Sequence, residues 1–314
     1  MDKTALQQET LLPIREVAER TGVNPVTLRA WERRYGLLVP ARTGKGHRLY
    51  SELDVQRIEE ILSWLARGVA IGQVRPLLED GSKVIAEDTV AAVEDRAGDS
   101  WSQLVQQTVA AIEGFSVTAL QRQLEQLLAS YPLPLLLDRW LVPLHKILSR
   151  QGRFGSSVTQ AFFWQLLTEQ LTLTVNASRK NLRRGGKAPR RLLLVGFPGG
   201  DQQAFAQLFC AAAIAAGLDV INLGPDAELG ELAFAEDQLN ADGIICYSHN
   251  ALPMAVLGTG LERVLRSLTS PLWLGGGFVD LQRRDIDKLI ARQHCRVLPA
   301  ETALALRELQ EQLR

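Results

Sequence analysis

Between Val26 and Tyr50 the chain places Arg29, Arg33, Arg34, Arg42, Lys45 and Arg48 against a single acid, Glu32. Such a local excess can neutralise backbone phosphates and release their counterions, the sequence-independent part of duplex binding. A second set, Asp201, Ser248 and His249, offers an acid, a hydroxyl and an imidazole, the residue types of nucleophilic catalysis. Spacing separates the two sets. Ser248 and His249 are neighbours at a strand end and so point to opposite sides, and no G-x-S-x-G elbow surrounds the serine. Asp201 is explained as a helix cap. The basic set carries the chemistry, and the sequence reads as a non-enzyme.

The elements around the basic set are those that would present it to DNA. Gly22-Val23-Asn24-Pro25 is a turn feeding a helix, with Asn24 suited to the N-cap and Pro25 to the first helical position. Ile14 to Arg20 reads as a short helix before it. After it, Leu28, Trp31 and Tyr35 recur at helical spacing and are predicted to pack inward, which sends Thr27, Arg29, Arg33 and Arg34 to the remaining faces. Ala41 to Tyr50 reads as a hairpin with Gly44-Lys45-Gly46 at its tip, a basic wing carrying Arg42, Lys45, His47 and Arg48 and ending at Tyr50. Ser51 with Asp54 is a capping-box start for the next helix. Turn, Arg-rich second helix, wing and flanking helix, in that order, make a winged helix-turn-helix.

Residues Ile14 to Leu78 resemble the winged helix of the MerR family. Asn24 to Leu37 and Gly44-Lys45-Gly46-His47-Arg48-Leu49-Tyr50 are similar to the version in its MlrA and CarH branch. The resemblance implies that Arg29 and its neighbours grip promoter DNA, that the wing reaches the adjacent backbone, and that a homodimer binds inverted-repeat promoter sites.

The 314 residues exceed one ordinary domain. Hydrophobic content of 46% and charged content of 22% suit a globular chain, and Lys+Arg and Asp+Glu are both 35, so the positive charge is concentrated rather than general. Met1 to Leu12 lacks the apolar core of a signal peptide and no later stretch is long enough to cross a bilayer, which predicts a cytoplasmic protein without a membrane partner. Cys210, Cys246 and Cys295 are far apart, and none precedes Cys210, so neither a disulfide framework nor a metal site is expected.

The expected organisation is a DNA-binding domain over 11–80, a linker over 81–100 that is in part helical, a four-helix bundle over 101–184 and an α/β domain over 190–314. Four amphipathic stripes, beginning at Trp101, Val117, Leu135 and Val158, make the bundle. Leu182 to Lys187 reads as a basic connector. From Arg191 onwards, apolar runs alternate with helices five times, which predicts a flavodoxin-like (Rossmann-like) parallel sheet covered on both faces, with its crevice at the carboxyl ends of the strands.

A bundle followed by such a sheet resembles the cobalamin-binding module that shares this winged helix in CarH-type light sensors. Asp201-Gln202-Gln203-Ala204-Phe205-Ala206 takes the place of that module's Asp/Glu-x-His-x-x-Gly, Ser248-His249-Asn250 of its Ser-x-Thr/Leu, and Gly275-Gly276-Gly277 of its Gly-Gly. Gln203 stands where the resemblance puts the axial imidazole, and an amide is a poor cobalt ligand. Asp201, Gln203, Ser248, His249, Gly275 and Gly276 are thus expected to form a degenerate pocket. His249 is the candidate substitute ligand, though a hydrogen-bonded loop residue accounts for it better. No cofactor and no metal are expected.

The sequence therefore predicts a MerR-type, MlrA-like transcriptional regulator that binds double-stranded promoter DNA as a dimer. Its C-terminal region would serve dimerisation, sensing, or docking of RNA polymerase or a signalling protein. The rival readings are a cobalamin-dependent light-sensing repressor of the CarH kind and a protein-interaction scaffold that binds no DNA.

Overall fold

A computed structural model describes residues 11–80, 87–150, 152–183, 189–292 and 295–313. Helix α1 (Ile14–Thr21) stops at Gly22, whose φ of 71° lets its N–H reach back to the Ala18 carbonyl. Asn24 then caps α2 (Pro25–Arg33) by accepting from the N–H groups of Val26 and Thr27. Strands β2 (Ala41–Arg42) and β3 (Arg48–Tyr50) form the wing, and β3 also pairs with β1 (Leu12–Pro13), a strand too short to show in the sequence pattern. At the wing tip the Thr43 N–H donates to His47 O and the Gly46 N–H to Thr43 O, with Gly46 at φ 81°. The capping box of Ser51 and Asp54 starts α3 (Glu52–Ala66), and α4 (Val74–Asp80) follows.

Helix α5 spans Glu87–Glu113 and so begins inside the 81–100 segment expected to be a partly helical linker. The rest of that segment, residues 81–86, lies outside the described residues, as does most of the expected connector 182–187. Helices α6 (Val117–Ser130) and α9 (Ser156–Arg183) complete the bundle with a third, irregular rod. That rod is α7 (Leu133–Leu135), a π-helical stretch over Leu136–Leu141, and α8 (Val142–Ser149). At the bundle centre the buried Thr108 hydroxyl accepts from Trp140 Nε1 at 3.0 Å and from Gln123 at 3.1 Å.

The C-terminal sheet has β4 (Arg191–Val195), β5 (Asp219–Gly224), β6 (Gly243–Tyr247), β7 (Leu272–Gly275) and β8 (Cys295–Val297), all parallel, in the order β5-β4-β6-β7-β8. This is the flavodoxin-like order with its crevice between β4 and β6. Helices α10 (Gly200–Ala215), α11 (Leu232–Leu239), α12 (Leu261–Ser267), α13 (Phe278–Leu281), α14 (Arg283–Arg292) and α15 (Thr302–Gln312) cover it. Alternation along the strands decides which core each side chain joins. Leu192, Leu194, Ile245 and Trp273 face α10 and the bundle, whereas Leu193, Val195, Ile244, Cys246 and Leu272 face the opposite layer. The first core runs without interruption from the N-terminal segment through the bundle to the sheet. No helix among the described residues is long and apolar enough to cross a membrane.

Candidate nucleic-acid interface and sheet crevice

Helix α2 is held from its inner side. Leu28 and Trp31 are fully buried, Trp31 Nε1 donates to the Ser130 carbonyl at 2.8 Å, and the Tyr35 hydroxyl donates to Ser130 Oγ at 3.0 Å. The bundle, through the end of α6, therefore fixes the orientation of this helix. By helical periodicity Val26, Arg29 and Arg33 fall on the side away from Leu28, Trp31 and Tyr35. Arg33 and Arg34 are exposed and Arg29 is half-buried.

Glu32 emerges as the hub of the wing. One carboxylate oxygen accepts from Arg42 at 2.7 Å and the other from Arg48 Nε. Burial alone would raise the pKa of this carboxyl, but the hydrogen bonds from Arg48 and Arg42 outweigh it and hold the group below the usual carboxylate range. The single acid of the basic patch thus ties wing to helix while leaving Arg42 half exposed. Lys45 and His47 are exposed at the wing tip.

Two expected contact residues are placed differently. Thr27 is fully buried because its hydroxyl accepts from the Asn24 side-chain amide at 3.0 Å, inside the cap rather than on an outer face. Tyr50 is also fully buried, packed in the core of the segment, where burial raises its phenol pKa to about 12. Arg48 is half-buried through Glu32. The basic surface accordingly consists of Arg29, Arg33 and Arg34 on the helix side and Arg42, Lys45 and His47 on the wing.

At the carboxyl ends of β4 and β6, Gln202 occupies the place expected of Gln203. Both lie in the first turn of α10, which begins at Gly200, with Gln202 buried and Gln203 exposed. The buried Gln202 accepts at Oε1 from Ser248 Oγ (3.1 Å) and from the His249 N–H (2.7 Å). It also donates to Asp201 at 2.8 Å. Asp201 is bonded to His145 Nε2 at 2.9 Å and receives Asn250 Nδ2 at 3.0 Å. Burial opposes ionisation of Asp201, but these hydrogen bonds prevail and lower its pKa to about 2. His145, on α8, is a member that the sequence reading missed. It lies 56 positions from Asp201, and only the folded contact of bundle with sheet joins them.

His249 lies flat against Phe205, ring centres 4.0 Å apart, and its Nε2 is bonded to the Tyr247 hydroxyl at 3.0 Å. Phe209 in turn stacks on Tyr247 at 4.5 Å. Gly275 and Gly276 close the far side. A Cβ on Gly276, whose φ is 95°, would lie 2.2 Å from the Ser248 carbonyl oxygen, so this close approach demands glycine. Among the described residues no cluster of three or more His, Cys, Asp or Glu could hold a metal ion.

Burial, reinforced by the nearby His145 and Lys146 and opposed by Asp201, lowers the His249 pKa from 6.5 to about 3. Between those values the unfolded chain binds more protons than the folded one, so stability rises with pH there. The contribution is complete above 6.5 and is lost as pH falls toward 3. The urea midpoint is expected to fall steadily between pH 6.5 and about pH 5, and His249→Phe is expected to flatten that dependence. A wild-type midpoint that stays constant across this range would contradict the buried, neutral imidazole.

A short helix, a tight turn, an arginine-bearing second helix and a basic wing make a winged helix-turn-helix, an architecture suited to DNA grooves. Residues 12–81 match the family described as MerR HTH family regulatory protein. Over 70 residues, 22% of this chain and 29% of the other protein, the sequence is 53% identical to the HTH-type transcriptional regulator MlrA of Escherichia coli (strain K12). It is also 31% identical over 131 residues to the HTH-type transcriptional repressor CarH of Myxococcus xanthus, covering 40% of this chain and 43% of that one. The chain thus spans less than half the length of these curated relatives. A solved cobalamin-binding protein from Desulfitobacterium hafniense DCB-2 aligns over 66% of this chain and 97% of its own at 12% identity, with a TM-score of 0.33, too distant a likeness to carry an argument.

Proposed function

We propose that the protein is a MerR-type transcriptional regulator that binds promoter DNA as a homodimer, with α2 entering the major groove and the wing lying along the flanking backbone. The observation that carries this reading is the exposed basic surface of Arg33, Arg34, Arg42, Lys45 and His47 on a domain of matched family. A single recognition helix reads only a few base pairs, so two copies on a repeated half-site are needed for useful specificity. A genome-wide map of the DNA occupied by the full chain tests this. Peaks at promoters that share an inverted repeat are the expected result; occupancy without a shared sequence would overturn it.

The reading assigns the crevice no cobalamin and no catalysis. The residues present do not suit a corrin. Gln203 is an exposed amide rather than an imidazole, the His249 Nε2 is bonded to Tyr247, and a buried Ala206, beside the Phe205 ring stacked on His249, stands in place of the module's glycine. Ser248 donates to Gln202 and to the Asn250 carbonyl, and Asp201 is partnered by His145, so acid, hydroxyl and His249 form no relay. Adenosylcobalamin added to the purified full chain, followed by desalting, is expected to leave no visible absorption with the protein. A coloured, stoichiometric complex would favour the CarH-like alternative, which the layout of bundle and sheet keeps in view. RNA polymerase or a signalling protein as partner of the C-terminal region belongs to the same proposal.

A further inference from the structure

A cleft of about 860 Å³ separates the rod of α7 and α8 from the carboxyl ends of β6 and β7, a volume within the usual range for small-molecule sites. The bundle wall is built from one helical face: Arg139, Val142, Lys146 and Arg150 succeed one another at intervals of three and four. Arg139, Lys146 and Arg150 are exposed to the cleft, and among the described residues none has a carboxylate within ion-pairing distance.

Among the described residues the carboxylates that share the lining form no salt bridge with these cations, although Asp138 interacts electrostatically with its neighbour Arg139. Asp138 directs both oxygens at Thr302, accepting from its N–H at 2.9 Å and from its hydroxyl at 2.5 Å. Asp280 and Glu301 are exposed and form no salt bridge with the cationic wall. The apolar part of the lining is Leu135 and Val142 from the rod and Leu281 from α13, and Leu281 stays 66% exposed although it is a large apolar side chain. Three unpaired cations beside an apolar floor suit one chemical class. A plain inorganic anion would leave the floor wet, and a neutral apolar molecule would leave the cations unused.

We propose that this cleft is the binding site of a small amphipathic organic anion, its apolar body on Val142 and Leu281 and its acidic group on Arg139, Lys146 and Arg150. The proposal rests on the reading of the C-terminal region as a sensor, but its test does not pass through DNA. The probe is 8-anilinonaphthalene-1-sulfonate, titrated by fluorescence and calorimetry into the full chain, with the uncharged N-phenyl-1-naphthylamine and inorganic phosphate as comparisons.

One saturable site per chain is expected. The anion should bind at least about tenfold more tightly than the neutral analogue, and phosphate alone should not displace it. The triple variant R139Q/K146Q/R150Q should weaken the anion by about tenfold, leave the neutral analogue unchanged and keep the wild-type urea midpoint. Leu281→Asp, at an exposed position that folding does not need, should weaken both probes. Binding that never saturates, equal affinity for the charged and neutral probes, displacement by phosphate alone, or an unaltered anion affinity in both variants would overturn the proposal. Promoter affinity measured with and without bound probe separates the two readings: saturable binding without any change in DNA affinity would retain the site and remove its sensory role.

Discussion

The double substitution R29A/R33A is expected to weaken binding of promoter DNA by about a hundredfold or more at physiological salt while leaving the fold intact. Both residues lie on the side of α2 opposite Leu28 and Trp31, the face left to a duplex once the inner face has packed on α6. An arginine aimed at a base edge contributes about 1–3 kcal/mol of discrimination and one at a phosphate changes the salt slope by about one. Two per chain in a dimer multiply these effects. Electrophoretic mobility shift with a promoter fragment measures the loss, and far-UV circular dichroism with urea unfolding checks the fold. An unchanged affinity would remove α2 from the interface and leave the wing alone as the DNA contact.

Trp31→Ala is expected to produce the largest loss of stability of any single change in the DNA-binding segment. The indole is fully buried and its Nε1–H reaches the Ser130 carbonyl across the junction with the bundle. Truncating a buried Trp costs about 3–5 kcal/mol, through lost transfer free energy and the cavity that remains. The stranded carbonyl adds to that. Trp31→Phe retains most of the apolar volume and removes only the donor, so it should cost about 1–2 kcal/mol. Urea unfolding of the three proteins gives the ranking, and limited proteolysis of the Ala variant should cut first between the DNA-binding segment and the bundle. A Trp31→Ala midpoint equal to wild type would mean that α2 does not rest on α6.

Local chemistry explains what the sequence disclosed. Gly22 and Asn24-Pro25 carry their turn within four residues, the Ser51–Asp54 capping box within four, and the wing tip within the span from Thr43 to His47. The parallel sheet announced itself because strands covered on both faces read as unbroken apolar runs. Contacts made at a distance stayed hidden. Glu32 looked like a lone dissenting charge, since its partners lie 10 and 16 positions away and only the folded wing brings both to it. Thr27 was assigned to an outer face by helical period, which takes no account of a cap amide that draws its hydroxyl inward. Motif alignment points Gln203 at the crevice, but in the folded first turn of α10 Gln202 is the residue that accepts from Ser248 and His249. His145 offered no signal at all, because its partner Asp201 belongs to the other domain. The differences therefore fall at helix N-termini, where a side chain's own hydrogen bond overrides the helical period, and where a bond spans two elements, at the wing and at the crevice.

The central claim is that the basic face of the N-terminal domain reads duplex DNA. It is tested most directly by the salt dependence of full-chain binding to a duplex enriched from its own genomic sites, set against a scrambled duplex. Neutralisation of about five or more phosphates predicts a plot of log affinity against log salt with a slope of about −4 or steeper, with the enriched duplex bound about a thousandfold more tightly than the scrambled one. A slope shallower than about −1, together with no preference between the two duplexes, would contradict it.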